Sequence, residues 1–119
     1  MPAQPLPFQP LKPVDLILLL ALSEEDRHGY ALSQEVERRT EGAVRLEAGN
    51  LYRTLRRLVG EGLVDEAGRR PLIADDDERR NYFRITPLGL RAVQAEVKRL
   101  RALLASPSVK ALGQRTEPT

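Results

Sequence analysis

The fold is decided by residues 48–62, which read AGNLYRTLRRLVGEG. When these residues are placed on a helix at about 100° per residue, their apolar and basic side chains separate onto opposite sides. The apolar side can pack on a core, and its members are Ala48, Leu51, Leu55, Leu58 and Val59. The glycines at 60 and 62 can end the helix, because glycine readily adopts the left-handed conformation of helix C-termini.

The opposite side of this helix is polar and rich in arginine. Its members are Asn50, Arg53 and Arg57, with Thr54 and Arg56 flanking them. An arginine can donate two hydrogen bonds to guanine, and an asparagine can pair in the same way with adenine. Tyr52 lies at the edge, where it either donates its hydroxyl to a phosphate or packs on the core. A basic helix face is more often simply solvated. The other elements of the chain are therefore needed to choose between DNA binding and a solvated surface.

The composition limits the class of protein. A chain of 119 residues supports one small domain. It contains no cysteine and one histidine, so we expect no disulfide, no thiolate chemistry and no multi-histidine metal site. We find no catalytic constellation and no cofactor motif, and we therefore expect neither an enzyme nor a bound cofactor. No apolar run is long enough to span a bilayer and the start does not resemble a signal peptide, which predicts a cytoplasmic protein.

The first half of the chain predicts an arm followed by helices. Residues 1–12 are proline-rich and are expected to form a flexible arm. The run VDLILLLAL, which follows Pro13, predicts a short helix that is buried on most sides. A polar connection, residues 23–28, leads to a second helix over about 29–39, and residues 43–46 could form a short strand. His28 is expected to be a helix cap or a surface group.

After the basic helix the pattern changes to strands. Residues 63–66 and 81–85 predict a hairpin, because tyrosine and phenylalanine favour a pleated surface. Its long connection carries arginines and also four consecutive acids, residues 75–78. The acids either point away from DNA or pair with the arginines and orient them. The hairpin residues predicted to bind DNA are Arg69, Arg70, Arg79 and Arg80, in addition to Asn50, Tyr52, Arg53, Thr54, Arg56 and Arg57 of the preceding helix.

The last predicted helix covers residues 87–105, with Thr86 as its N-cap and Pro87 in its first turn. Its apolar residues are spaced alternately by three and four, which is the pattern of a helix that pairs with a second copy. The predicted dimer contacts are Leu90, Val93, Val97, Leu100 and Leu104. Residues 106–119 are expected to form a flexible tail.

The order of these elements predicts the fold class. Three helices, a small β-hairpin and a further helix give a mostly α protein, with a winged helix-turn-helix over residues 13–86 and a C-terminal dimerisation helix. In this layout the third helix enters the major groove of double-stranded DNA, and the hairpin reaches the neighbouring backbone. A homodimer presents two such helices about 34 Å apart, one turn of DNA, to a palindromic site.

The chain also resembles the PadR family of transcriptional regulators. The resemblance is carried by VDLILLLAL, HGYALSQEVE, GNLYRTLRRLVGEGLV and NYFRITPLG, in this order from about residue 11 to residue 104. The single C-terminal helix resembles the short class of the family. The acidic hairpin connection is more similar to the wing of MarR-type regulators, which makes a MarR-like regulator the second choice.

The PadR resemblance implies a homodimeric repressor that binds a palindromic operator and that is released by a small-molecule effector. Effectors of the family are often aromatic or lipophilic and bind near the dimer interface. The alternative function is a winged-helix module that binds proteins without specific DNA binding, which the acidic wing and the formal net charge of only +2 favour slightly.

Overall fold

The computed structural model describes residues 9–69 and 81–115. The elements follow the predicted order of three helices, strands and a further helix, with one more strand and one more helix than predicted. Their bounds are α1 (Pro13–Glu24), β1 (Arg27–His28), α2 (Gly29–Arg39), α3 (Ala48–Gly60), β2 (Val64–Arg69), β3 (Asn81–Ile85), α4 (Pro87–Leu104) and α5 (Pro107–Gln114).

The core is built around α1, which contacts α2, α4 and β3. The side chains of Leu18, Leu19 and Leu22 are almost completely buried. This burial confirms the interpretation of VDLILLLAL as a helix enclosed on most sides. The helices α2, α3 and α4 and the sheet each contribute one apolar face to the same core, which leaves their polar faces exposed.

The sheet has three antiparallel strands in the order β1-β3-β2, whereas the sequence predicted only the pair β2 and β3. The extra strand, β1, lies at the end of the predicted polar connection, and it places Arg27 opposite Phe83 and His28 opposite Tyr82. Two residues are too few for an alternating pattern, and their strand partner lies more than fifty positions later. His28 also accepts a hydrogen bond from the Ala31 amide at its Nδ1, at 3.1 Å, and so caps α2 as predicted.

Two further segments differ from their predictions. Residues 43–46 form no strand, and the Val44 amide instead donates to the Thr40 hydroxyl at 3.0 Å. Part of the expected flexible tail forms the helix α5, none of whose residues is buried. Ser106 and Pro107 follow α4 and could serve as its stop, yet a serine followed by a proline is equally a helix start, as Thr86-Pro87 is for α4. Residues 1–8 of the predicted arm and residues 116–119 lie outside the described residues.

Two sites in the fold require glycine, a β-bulge in β2 and the first turn of α4. Gly68 has a φ of +82° at a β-bulge between Glu66 and Gly68, a conformation that glycine adopts without a steric penalty. Gly89 lies in the first turn of α4, which rests on the residue before β2. A Cβ atom built on Gly89 would lie 2.1 Å from the carbonyl oxygen of Leu63. Close approach of α4 to the sheet therefore requires glycine at this position.

Candidate nucleic-acid interface

The helix α3 separates its side chains as the sequence predicted. Leu51, Leu55 and Leu58 are buried in the core, and they fix the rotation of the helix about its axis. The exposed residues on the other side are Asn50, Arg53 and Arg56. Within residues 9–69 and 81–115, Arg56 makes no ion pair, which leaves its guanidinium available to an external anion.

Asn50 and Arg53 form one polar unit on the exposed side of α3. The Arg53 Nη1 donates to the Asn50 Oδ1 at 2.8 Å. Thr54 is half-buried, and its hydroxyl donates to the Asn50 carbonyl oxygen at 2.9 Å. Asn50 and Arg53 thus present amide and guanidinium donors from neighbouring positions on one helix face. Donors of this kind in this spacing can reach the edges of adjacent base pairs.

Arg57 is also on this side, but its guanidinium is turned towards α1. Its Nη2 donates to both carboxylate oxygens of Asp15, each at 2.8 Å, and its Nη1 lies 3.2 Å from the Glu61 Oε2. The hydrogen bonds to Asp15 raise the pKa of Arg57 above its usual value. Its guanidinium is charged, as in any arginine, and it is already paired with two carboxylates.

Tyr52 lies at the inner edge of α3. Its ring packs near Phe83, with 6.4 Å between the ring centroids, and covers Gly29 at the start of α2. A Cβ atom on Gly29 would lie 2.4 Å from the Tyr52 hydroxyl oxygen. Of the two roles considered for Tyr52, this position favours packing between α2, α3 and β3.

The wing is described only in its two strands. Arg69 is the last residue of β2, and its side chain is not described. Arg70, Arg79 and Arg80, together with the four acids at 75–78, lie outside the described residues. On β3, Arg84 is exposed, and its Nη2 lies 2.9 Å from the Asp26 Oδ2. The sequence did not indicate a role for Arg84, because its partner, Asp26, lies 58 positions earlier in the connection between α1 and β1 and meets it only in the folded chain.

Asp15 is a second residue that the sequence analysis missed. It is buried, with 5% of its surface exposed, in the first turn of α1. The signal was present in the sequence, since Asp15 is the only acid in the otherwise apolar run VDLILLLAL. A buried carboxylate requires a cationic or hydrogen-bonding partner, and Arg57 supplies it.

Several other arginines of the described region are neutralised within the protein. Glu35 of α2 accepts hydrogen bonds from Arg38 at 2.7 Å and from Arg39 at 2.8 Å, and these bonds lower its pKa to about 2. Arg39 and Arg27 also contact Glu24, at 2.6 and 2.7 Å. These arginines are therefore paired within the protein, whereas Arg53 and Arg56 on the exposed side of α3 make no ion pair among residues 9–69 and 81–115.

The residues predicted to form the dimer contact divide into two groups along α4. Val93 is 4% exposed and belongs to the core of its own protomer. Leu90 is 40% and Leu104 61% exposed, and the half-buried Val97 lies midway between them. These three residues are seven positions apart and form an apolar stripe on one side of the helix, with Leu100 half-buried beside it.

No helix within the described ranges has the length and apolar character needed to cross a membrane.

Comparison with known proteins identifies the family. A family model described as the transcriptional regulator PadR-like family matches residues 17–95. An uncharacterised protein of Lysinibacillus sphaericus is 32% identical over 87 residues, which cover 71% of this chain and 75% of that protein. A PadR-like transcriptional regulator from Bacillus cereus has a similar fold, with a TM-score of 0.67, 24% identity, and coverage of 87% of this chain and 93% of that chain. RosR of H. salinarum gives a TM-score of 0.63 at 27% identity, with 87% of each chain covered.

These matches confirm both the winged-helix fold and the family that the sequence motifs indicated. The family model covers most of α1 and the first half of α4, together with all the elements between them, so it includes α3 and both strands of the wing. The geometry agrees with a DNA-binding regulator, because the helix expected to enter the major groove exposes its unpaired arginines. The chain belongs to the PadR-like family of transcriptional regulators.

Proposed function

We propose that this protein is a homodimeric transcriptional repressor that binds a palindromic operator through α3. The observation that carries the proposal is the exposed set Asn50, Arg53 and Arg56 on a helix whose opposite face is locked into the core. Arg53 is bonded only to a neutral amide, and Arg56 has no ion-pair partner among residues 9–69 and 81–115. Both cations can therefore meet DNA without first breaking an ion pair.

The contacts have different tasks in this proposal. Asn50 and Arg53 read base edges in the major groove, with Thr54 beside them, and Arg56 holds a phosphate. The wing arginines, Arg69, Arg70, Arg79 and Arg80, contact the neighbouring backbone. Phosphate contacts provide much of the affinity and fix the register, whereas base contacts provide the choice of sequence.

The dimer in this proposal forms through the apolar stripe of Leu90, Val97 and Leu104 on α4. A two-fold axis at this stripe relates two copies of α3 by the same symmetry as the two halves of a palindrome. An effector releases DNA if it binds one dimer geometry better than the other. The place proposed for a small aromatic or lipophilic effector is a groove of about 450 Å³ that includes the stripe residues Leu90 and Val97 and the polar residues Ser23, Gln94, Lys98 and Arg101.

The first experiment measures binding of the purified protein to the DNA upstream of its own gene over a series of salt concentrations. In parallel, a random-sequence duplex pool is enriched for bound sequences, which covers an operator located elsewhere. We expect site-specific binding of two protomers, with an affinity that falls steeply as salt rises. Weak binding that ignores sequence in both assays would instead support the protein-interaction module.

The matched variants are Arg53→Ala on α3 and Lys110→Ala on α5. We expect Arg53→Ala to weaken binding by about 1–3 kcal/mol and to relax the preference at one base pair of each half-site. Lys110 is exposed on α5, and its replacement should leave affinity within about 0.5 kcal/mol. Equal effects of the two variants would contradict a reading role for α3.

A further inference from the structure

The ion pair between Asp15 and Arg57 joins two elements that are far apart in sequence. Asp15 is in the first turn of α1, and Arg57 is in the last turn of α3, 42 positions later. Asp15 is 5% exposed, and the Arg57 side chain is 38% exposed. The pair therefore has one member inside the protein and one at the surface that faces the proposed DNA contact.

The burial of Asp15 determines what Arg57 is able to do. A buried carboxylate is strongly destabilised if its hydrogen-bonded cation leaves, because it loses that interaction without regaining full hydration. No other side chain donates to Asp15 among residues 9–69 and 81–115. A rotation of Arg57 towards a base or a phosphate would abandon this carboxylate. Direct contact of Arg57 with DNA is therefore disfavoured, because it would cost the ion pair with Asp15.

The start of α1 is held at a second point by α4. The Leu11 amide donates to the Glu96 Oε1 at 3.3 Å, and Glu96, also 5% exposed, is paired with Arg99 of the same helix. Residues 11–15 thus link α4 and α3, because Leu11 is bonded to Glu96 of α4 and Asp15 is bonded to Arg57 of α3. Since α4 carries the proposed dimer contact, this short segment connects the dimer helix to the helix that faces DNA.

We propose that Asp15 and Arg57 are positioning residues that fix the orientation of α3 relative to α1 and α4, and that neither contacts DNA. The inference rests on the proposed DNA-binding function. It assigns the two neighbouring arginines of α3 to different tasks, because Arg56 is exposed and unpaired whereas Arg57 is held by Asp15. If the pair is broken, α3 keeps its exposed donors but loses its fixed orientation.

The test compares Asp15→Asn, Arg57→Gln and the double variant with Arg56→Gln as the matched control. The probe is the duplex that the wild-type protein enriches from the random-sequence pool, and its affinity is measured over a salt series at a temperature well below each variant's Tm. We expect Arg56→Gln to reduce the salt slope by about one, since one phosphate contact is lost. Asp15→Asn and Arg57→Gln should each lower affinity on the order of tenfold without changing the slope or the base preference.

The double variant should bind no more weakly than the weaker single variant, because both changes break the same interaction. A different pattern would overturn the proposal: Arg57→Gln reduces the salt slope as Arg56→Gln does, while Asp15→Asn strengthens binding by releasing Arg57. In that case Arg57 contacts DNA and Asp15 competes for it.

Two further comparisons keep the outcomes distinct. If Asp15→Asn or Arg57→Gln fails to fold, Arg57→Lys keeps a cation opposite Asp15 and should bind within a few-fold of the wild type. A loss beyond tenfold for Arg57→Lys, at an unchanged Tm, would contradict the positioning role.

If the wild type enriches no sequence, the proposed function fails and the inference with it. If Arg56→Gln behaves as expected but the Asp15 and Arg57 variants bind like the wild type, the inference alone fails.

Discussion

At the scale of single residues, a substitution of Gly89 tests whether the close approach of α4 to the sheet is needed for stability. A Cβ atom at this position would lie 2.1 Å from the Leu63 carbonyl oxygen and 2.9 Å from the Ile85 Cγ1. Because the first obstacle is backbone, the helix has to move, and we expect Gly89→Ala to lower the free energy of unfolding by about 3 kcal/mol. Thermal or urea unfolding of the purified variant measures this loss.

Gly60 provides the control for this substitution. It is the last residue of α3, and no atom lies within 4 Å of a Cβ built there. We expect Gly60→Ala to leave the stability unchanged or to raise it by up to about 1 kcal/mol, since alanine loses less backbone entropy in a helix. Equal stability of the two variants would show that α4 does not need the close approach.

The residue scale also shows a limit of sequence reasoning. A helical projection correctly places Arg57 on the polar side of α3 with Arg53, because the two are four positions apart. The projection contains no information on which residues of other elements reach that side. The acid that pairs with Arg57 lies in another helix, and only the folded chain brings the two together. Asp15 was visible as an isolated acid in an apolar run, but its partner was not.

At the scale of elements, the start of α4 depends on Thr86. Its hydroxyl oxygen accepts a hydrogen bond from the Gly89 amide at 3.0 Å, and the hydroxyl donates to the Gly62 carbonyl oxygen at 2.5 Å. Thr86→Ala removes both bonds, and we expect the free energy of unfolding to fall by about 1–2 kcal/mol. Thr86→Ser retains the hydroxyl and should stay within about 0.5 kcal/mol of the wild type. A chemical denaturation curve for each variant gives its free energy of unfolding. A similar decrease in Thr86→Ala and Thr86→Ser would rule out the loss of the cap as the cause.

The ion-pair network on α2 predicts a pH dependence of stability. Hydrogen bonds from Arg38 and then Arg39 lower the pKa of Glu35 from 4.5 to about 2. A lowered carboxyl pKa adds stability above pH 4.5, and this contribution is lost as the pH falls towards 2. We expect the loss in this window to be on the order of 1 kcal/mol for Glu35, since solvent screens its more exposed partner, Arg38.

The check is the Tm of the wild type and of Glu35→Gln between pH 7 and pH 2. Glu35→Gln should lower the Tm at pH 7 and should reduce the decrease on acidification. Glu25, whose side chain is 69% exposed, serves as the control, and Glu25→Gln should have little effect on stability at pH 7. An acid transition that is identical in Glu35→Gln and the wild type would exclude this network as its source.

The elements differ in how far the sequence could predict them. The helices α3 and α4 were predicted because each has an apolar stripe and a recognisable start or stop. The strand β1 has no such signal, since Arg27 and His28 become a strand only by pairing with Phe83 and Tyr82. The helix α5 was missed for another reason: Ser106-Pro107 ends one helix and begins the next, and a stop signal alone cannot show that a new helix follows.

At the scale of the whole molecule, the order of elements was sufficient to predict the winged-helix architecture. The surface of α4 could be predicted less completely, because apolar spacing does not distinguish the core of one protomer from contact with a second copy. Val93 fits the spacing and yet belongs to the protomer core, where it is 4% exposed, whereas Leu104 fits the same spacing and is 61% exposed. Periodicity therefore identified the helix, and burial was needed to separate its two faces.

The proposed dimer gives the last prediction. Leu104 lies in the final turn of α4 and is too exposed to support the protomer core, so Leu104→Asp should leave each protomer folded. In a dimer through the stripe of Leu90, Val97 and Leu104, however, the new carboxylate would be buried against apolar side chains without a partner. We expect the dimer dissociation constant to rise by on the order of 10- to 100-fold, which corresponds to about 1.4–2.8 kcal/mol. Operator affinity should fall with it, because a monomer presents only one copy of α3.

Ala102 is the control for the dimer, since it is also exposed near the end of α4 but points to a different side from Leu104. Ala102→Asp adds the same charge and should leave the dimer intact. Sedimentation velocity over a range of protein concentrations measures the association of both variants, and circular dichroism confirms that each is folded. If Leu104→Asp remains dimeric and binds the operator as the wild type does, the two copies meet elsewhere. The exposed stripe on α4 then requires a different explanation, and the separation of the two α3 helices would have to be set by another surface.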